Sequence, residues 1–169
     1  PKMAISADTA TVMNHLLQTV VYGSNGTGRA AQSYVKNMKI YAKTGTSNDQ
    51  NDLWFVGGTP YYVASCWCGF EEQQPIPARH SGIALKMWGN VMSKVHKGLS
   101  TKEFAESSYA VDKYYCTASG ALATDTCPST AIGWYKKTKL PEACTAHAGA
   151  LLADPGTEPE STETTTETE

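Results

Sequence analysis

A short polar run in the first half of the chain has the residue types of an anion-binding site. The run is Lys43-Thr44-Gly45-Thr46-Ser47. The hydroxyls of Thr44 and Thr46 can donate hydrogen bonds to a carboxylate, and the Lys43 ammonium adds positive charge and supports proton transfer by a neighbouring hydroxyl. Gly45 lets a ligand approach the backbone because it has no Cβ. Lys-Thr-Gly alone occurs by chance in many proteins, so the flanking sequence decides its meaning.

The five cysteines are the second set of reactive side chains, and their odd number leaves at least one unpaired within the chain. Cys66 and Cys68 flank a tryptophan in a strand-like run, so both should face the same side of a sheet as small apolar residues. The other three, with one histidine, form a possible zinc-ligand set, Cys116, Cys127, Cys144 and His147. Ten residues separate the first two cysteines, unlike the close pair of a zinc knuckle, so zinc remains an alternative and the primary expectation is no metal.

Hydrophobic periodicity predicts the elements that would position the Lys-Thr-Gly run. Apolar residues at three- and four-residue spacing predict a helix over residues 6–22, closed by Gly23. The glycine-rich residues 23–28 are predicted to be a turn, because no strand precedes them and no Gly-Lys-Ser/Thr follows. Three strands and a second helix are predicted further on, over residues 38–43, 52–57, 61–69 and 81–96.

Short connections between the three strands predict an antiparallel meander, and the flanking helices predict an α+β layer with helices covering one face of the sheet. After residue 99 the periodicity weakens. The chain is therefore divided into residues 1–99, an irregular Cys/His-containing appendage over residues 100–153, and a Thr/Glu-rich tail over residues 154–169. The tail has almost no apolar side chain and is predicted to be disordered.

Composition excludes several functional classes. The tail carries six acidic residues and no basic one, so the other 153 residues have four more basic than acidic side chains. That excess is too small to predict nucleic-acid binding. Mean hydropathy is −0.36, and no apolar run approaches the roughly 20 residues of a membrane-spanning helix. The chain begins with Pro1 and lacks a signal-peptide pattern, which is interpreted as a piece of a longer protein.

The sequence around the Lys-Thr-Gly run resembles one family. The run is followed by Asp52-Leu-Trp-Phe-Val-Gly-Gly-Thr-Pro60 and then by a strand ending in Trp67-Cys-Gly69, and it is preceded by Gly26-Thr-Gly-Arg-Ala30. This combination is similar to the C-terminal part of the transpeptidase domain of class A, bifunctional penicillin-binding proteins. The resemblance covers residues 5–97 and implies a partial penicillin-binding-protein or serine β-lactamase-like fold.

The resemblance implies a function for each residue of the run. Such enzymes form a serine acyl-enzyme from a peptide ending in D-Ala-D-Ala and pass the acyl group to an amine. By resemblance, Lys43 and Thr46 are catalytic, and the Thr46 backbone N–H forms half of the oxyanion hole. Thr44, Gly45, Thr46 and Ser47 would bind the substrate along an edge strand. No cofactor is expected.

The chain departs from the family pattern in one respect. The family uses Ser-x-x-Lys for the nucleophile and Ser-x-Asn as a second motif. Ser33-Tyr-Val-Lys36 has the first spelling but lies only seven residues before Lys43, whereas the family places its nucleophile far upstream, so it is interpreted as a chance match. Ser24-Asn25 lacks the spacer of the second motif. The 169 residues alone are therefore expected to be inactive.

The resemblance also implies a setting and partners. The parent protein would be anchored in the membrane, act at the extracytoplasmic face of the bacterial cell membrane, and bind peptidoglycan stem peptides and β-lactams. In that oxidising setting a Cys116–Cys127 disulfide is the leading expectation for the appendage. Two alternatives remain from the sequence: a non-catalytic cell-surface binding module, and a serine β-lactamase relative, which would share Lys-Thr-Gly.

Overall fold

The computed structural model describes residues 2–148 and contains two α-helices and five strands. The helices are α1 (Ala7–Tyr22) and α2 (Ile83–Val95), the strands are β1 (Tyr41–Thr46), β2 (Leu53–Gly58), β3 (Val63–Cys68), β4 (Ala110–Cys116) and β5 (Thr130–Lys136), and 3₁₀ turns cover Arg29–Ser33 and Ala78–His80. The predicted disordered tail lies outside the described residues. Among the described residues, neither helix has the length and apolar character needed to cross a bilayer.

Helix α1 has the ends that the sequence predicts. Ser6 precedes it in an extended conformation, and the N–H of Gly23 donates to the Thr19 carbonyl at 2.8 Å where the helix stops. Asp8 lies in the first turn, where a negative charge suits the helix dipole. Hydrogen bonding by Ser6 lowers the pKa of the Asp8 carboxyl, which keeps that charge in place.

Strands β1, β2 and β3 form the predicted antiparallel meander, in that order across the sheet. Strand β1 differs from its predicted bounds, because it starts at Tyr41 and continues through Thr46 rather than ending at Lys43. The reason is pairing: Thr44, Gly45 and Thr46 lie opposite the first three residues of β2. Among the described residues β1 is an edge strand, so the Lys-Thr-Gly run lies along an unpaired side of the sheet.

The core lies between the sheet and the two helices. Helix α1 packs against β1, and α2 packs against β2 and β3. Trp88 of α2 is fully buried, its ring lies 5.1 Å from that of Phe55, and its Nε1 donates to the Gly57 carbonyl at 3.1 Å. A Cβ on Gly57 would lie 3.0 Å from the buried Trp88 ring and 3.2 Å from the Ala42 Cβ, so a larger residue there would have to displace these neighbours. Cys66 and Cys68 pack against this core as free thiols, which confirms the same-face prediction.

A buried hydrogen-bond pair joins the turn after β2 to the end of α2. Thr59 Oγ1 and His96 Nε2 are 2.7 Å apart, and His96 Nδ1 is 2.7 Å from the Met92 carbonyl. Because a carbonyl only accepts, Nδ1 carries a proton and donates to Met92, while Nε2 shares a hydrogen bond with the Thr59 hydroxyl. The backbone N–H of Tyr61 also donates to the Thr59 hydroxyl. This network explains why a threonine stands in the Gly-Thr-Pro segment.

Replacing Thr59 with valine is expected to lower the free energy of unfolding by about 1–3 kcal/mol, because a buried imidazole nitrogen loses its hydrogen-bond partner while the side-chain shape is kept. Urea unfolding followed by circular dichroism measures the change. The exposed Thr101 provides the matched control, and Thr101→Val should stay within about 0.5 kcal/mol of the unmodified chain. An equal effect of both substitutions would contradict a role for the pair.

The chain divides into two compact units. The first comprises Pro1–Asp112 and Trp134–Leu140 and contains the three-stranded sheet with both helices. The second comprises Lys113–Gly133 and Pro141–Glu169, of which the structure describes residues up to 148. Strands β4 and β5 form a separate two-stranded sheet. The mixed helices and antiparallel strands confirm the α+β prediction, and the predicted boundaries at residues 99 and 153 stay predictions.

Candidate functional site

The Thr44-Gly45-Thr46 segment lines a cavity of about 220 Å³ within the first unit. Alternation along β1 places Thr44 and Thr46 on the sheet face that also carries the buried Ala42. Gly45 lies opposite Trp54, and a Cβ at Gly45 would come within 3.0 Å of the Trp54 Cβ. The remaining cavity walls come from the loop before β1, from β2 and from the start of α2: Thr27, Leu53, Trp54, Phe55, Ser81, Gly82, Ala84 and Leu85.

Thr27 is a cavity residue that the sequence reasoning did not assign to the site. Its Oγ1 lies 2.8 Å from Thr44 Oγ1, so the two hydroxyls share a hydrogen bond. The glycine-rich segment before Thr27 is the predicted turn, closed by bonds from Gly26 N–H to the Gly23 carbonyl and from Gly28 N–H to the Val20 carbonyl. The Gly-Thr-Gly spelling is similar to the family pattern, but nothing in the spelling indicates that the threonine reaches β1.

Lys43 lies in an adjoining cavity of about 430 Å³, on the other face of β1. That cavity is bounded by the C-terminal end of α1 and the glycine-rich turn, and it includes Thr27 as well. The exposed Lys43 ammonium donates to the carbonyl of Thr44 at 2.8 Å. The structure thus keeps the lysine next to the threonine segment but does not bring it into the same cavity, which differs from the single site expected from the sequence.

The N-terminus of α2 adds a second source of positive potential at the cavity. Ser81 and Gly82 precede the helix and line the cavity, and the first turn of α2 contains no acidic residue. Unpaired backbone N–H groups at such an end favour a nearby anion. Together with the threonine hydroxyls, this environment suits a carboxylate.

Ser47 does not line the cavity in the structure. Its hydroxyl accepts a hydrogen bond from the Asp52 N–H at 2.9 Å, and its own N–H donates to the Asp52 carbonyl at 3.1 Å. Asp52 in turn accepts from the indole N–H of Trp67 at 2.9 Å. Ser47 therefore closes the β1–β2 turn, while substrate binding by this residue stays a prediction.

Ser33 and Ser24, whose surroundings partly match the two other family motifs, lie in different parts of the first unit. Ser33 is exposed at the end of a 3₁₀ turn, where its hydroxyl donates to the Ala30 carbonyl at 2.8 Å. It lines neither of the two cavities around β1. Ser24 and Asn25 line the cavity that contains Lys43. The position of Ser33 favours the interpretation of Ser33-x-x-Lys36 as a chance match.

The second unit contains a cluster of three thiols and one imidazole. The donor atoms of Cys116, Cys127, Cys144 and His147 all lie within 4.8 Å of one another. Hydrogen bonding by Ser119 lowers the pKa of the Cys144 thiol to about 7, and the same side chain contributes most to lowering the pKa of Cys116. The structure does not contain the expected Cys116–Cys127 disulfide. Both cysteines are free thiols, and they share the cluster with Cys144 and His147.

Comparison with known proteins identifies the origin of the first unit. The family model for the penicillin binding protein transpeptidase domain matches residues 1–65. A Clostridium botulinum protein named penicillin-binding protein 1A is 34% identical over 123 residues, which is 73% of this chain and 14% of that protein. The chain belongs to the penicillin-binding protein transpeptidase family. A Clostridium tetani penicillin-binding protein 1A matches this transpeptidase segment at 31% identity over 154 residues, 86% of the chain and 19% of the relative.

The fold comparison agrees with the family. The crystal structure of penicillin-binding protein 1A from Haemophilus influenzae matches the transpeptidase segment with a TM-score of 0.67, at 22% identity, over 81% of this chain and 21% of that one. At this identity the match shows the fold alone. The family resemblance that the Lys-Thr-Gly, Trp-Phe-x-Gly-x-Thr-Pro and Trp-x-Gly spellings predicted is confirmed by the family model and the Clostridium relatives. The chain spans less than a fifth of the length of these two curated relatives.

Proposed function

We propose that this chain supplies the carboxylate- and oxyanion-binding part of a D,D-transpeptidase that cross-links peptidoglycan stem peptides. The observation that carries the proposal is the cavity along the open edge of β1, lined by Thr44, Gly45 and Thr46. An extended peptide ending in D-Ala-D-Ala adds to this edge through main-chain hydrogen bonds, and β-lactams occupy the same position.

Each residue of the segment has a distinct task in this proposal. The Thr44 and Thr46 hydroxyls bind the terminal carboxylate of the peptide, and the Thr46 N–H stabilises the oxyanion of the tetrahedral intermediate. Lys43 supplies positive charge from the adjoining cavity and supports proton transfer by a neighbouring hydroxyl. The attacking serine comes from a Ser-x-x-Lys segment of the parent protein outside these 169 residues, and that parent acts at the extracytoplasmic face of the membrane in which it is anchored.

The isolated 169-residue chain is expected to show no covalent labelling by a fluorescent penicillin, because it contains no serine with the position of the family nucleophile. Gel fluorescence after incubation and denaturation measures the labelling. The complete parent polypeptide is the positive control and should be labelled on the serine of its Ser-x-x-Lys segment. Labelling of the isolated chain at Ser33 would overturn the assignment of the nucleophile, and an unlabelled parent would overturn the proposed activity.

A further inference from the structure

The thiol and imidazole cluster of the second unit is built by three separate turns. Cys116 ends β4, and the chain reverses there through bonds from Cys116 N–H to the Ala121 carbonyl and from Gly120 N–H to the Cys116 carbonyl, both 2.8 Å. Gly120 has φ = 76°, a conformation that glycine adopts without a steric penalty. A second turn places Cys127, whose N–H donates to the Thr124 carbonyl at 3.0 Å.

The third turn contributes two donors at once. Cys144 and His147 are three residues apart, and the Cys144 sulfur lies 3.3 Å from His147 Nδ1. Cys144 is held in place by its backbone N–H, which donates to the Leu122 carbonyl at 2.8 Å. The Cys116 sulfur lies 3.7 Å from the same imidazole nitrogen. His147 Nδ1 therefore lies close to the sulfurs of both Cys116 and Cys144.

These distances suit a tetrahedral metal. With Zn–S bonds of about 2.3 Å and a Zn–N bond of about 2.0 Å, neighbouring donors at a tetrahedral zinc are separated by about 3.5–3.8 Å. Of the two sulfur–nitrogen distances, 3.7 Å lies within that range and 3.3 Å lies about 0.2 Å below it. All four donor atoms lie within 4.8 Å of one another, so a movement of about 1 Å would bring the most distant pair to the separation found at a tetrahedral zinc.

Few of the described side chains of the second unit are buried apart from those of the thiol and imidazole cluster. Among its described residues, Cys116 and Cys144 are the buried ones, with 0% and 4% of their surfaces exposed. A small unit without an apolar core requires another source of stability, and a metal or disulfides are the usual ones. Because the buried residues of the unit are two cysteines of the cluster, the stabilising metal or disulfide would lie at the cluster.

We infer that Cys116, Cys127, Cys144 and His147 bind a structural Zn²⁺ ion that holds the second unit together. All four positions are filled by protein ligands, as in structural rather than catalytic zinc sites. Binding converts the three thiols to thiolates and releases their protons to solvent, while His147 coordinates through Nδ1. No other reactant is required.

Outer hydrogen bonds in the cluster fit thiolate ligands. The Ser119 hydroxyl donates to the Cys144 sulfur at 3.2 Å, and the Thr124 backbone N–H donates to the Cys127 sulfur at 3.3 Å. Donors of this kind orient metal ligands and offset thiolate charge. A disulfide between Cys116 and Cys127 would use two of the three thiols and leave Cys144 and His147 without a partner, whereas a metal engages the complete set.

The test is a metal titration of the full 169-residue chain, reduced and freed of metal. We expect one equivalent of Co²⁺ to produce the visible absorption of tetrahedral cobalt with a thiolate-to-cobalt charge-transfer band, and one equivalent of Zn²⁺ to abolish both. Cys144→Ser should weaken Zn²⁺ binding by about 100-fold or more, since a ligand is lost. Ser119→Ala keeps all four ligands and should weaken binding by about tenfold, so it tests the site even if the ligand variant folds poorly.

Cys68→Ser is the matched control, because Cys68 packs against the core of the first unit, and it should leave the cobalt spectrum and the Zn²⁺ affinity unchanged. Three results would each overturn the proposal: no tetrahedral cobalt spectrum, Zn²⁺ binding that survives Cys144→Ser unchanged, or a Cys116–Cys127 disulfide in chain purified with zinc present. None of these readouts depends on transpeptidase activity, so failure here leaves the proposed function untouched.

Discussion

Lys43→Met in the complete transpeptidase is expected to slow acylation by a β-lactam by about 10²–10⁴-fold. Methionine keeps the unbranched apolar stem of lysine and removes the ammonium, so the positive charge beside Thr44 is lost while the strand is preserved. Lys43 is exposed and its ammonium bonds to a backbone carbonyl, so its loss should leave the fold intact. Stopped-flow or gel-based measurement of the second-order acylation rate gives the comparison.

Lys36→Met is the control for this substitution. Lys36 is also exposed and lies in neither cavity around β1, so its removal changes the net charge equally without touching the proposed site. The control should acylate at the rate of the unmodified enzyme. Equal rates for Lys43→Met and Lys36→Met would refute the role of the lysine.

Trp88→Ala is expected to reduce the free energy of unfolding of the chain by about 3–5 kcal/mol. Trp88 is fully buried, its ring contacts Phe55 at the centre of the core, and its indole N–H donates to the Gly57 carbonyl. A small domain has about 5–15 kcal/mol of stability in total, so this single change consumes a large share of it. Urea unfolding by circular dichroism measures the loss.

Two further substitutions separate the causes of this loss. Trp88→Phe retains most of the ring volume and removes the indole donor, so it should cost about 1–2 kcal/mol. Val91 lies on the same helix and is 48% exposed, so Val91→Ala should change stability by less than about 0.5 kcal/mol. A loss for Trp88→Ala no larger than that for Val91→Ala would show that the ring does not organise the core.

The elements of the first unit were predictable because their signals are local. Apolar spacing marks both helices, a glycine ends α1, and dense aromatic and β-branched residues mark the third strand. The end of β1 was not predictable, because Thr44 and Thr46 are polar residues that become part of a strand only through pairing with Leu53 and Phe55. Pairing is a property of two segments and cannot be seen in the pattern of one.

The residues that make up the site were harder to predict from the sequence than its position along the chain. The Lys-Thr-Gly run indicated where the site lies, but the separation of Lys43 from the threonines follows from strand alternation, which applies only once the strand is known to extend through residue 46. Thr27 reaches Thr44 across 17 positions of sequence. The spacing of Cys116 and Cys127 argued against zinc, because the three turns that bring four donors together have no sequence period of their own.

The hydrogen bond between Thr27 and Thr44 lies where the two cavities meet. Without a ligand, one of these two exposed hydroxyls donates a hydrogen bond to the other. Hydroxyl rotors reorient in picoseconds to nanoseconds, far faster than backbone rearrangement. In the proposed function, an arriving carboxylate would therefore replace the neutral bond at Thr44 with a charge-assisted one without moving the chain. Separating Thr27 from Thr44 therefore costs a single neutral hydrogen bond, which forms again when the ligand leaves.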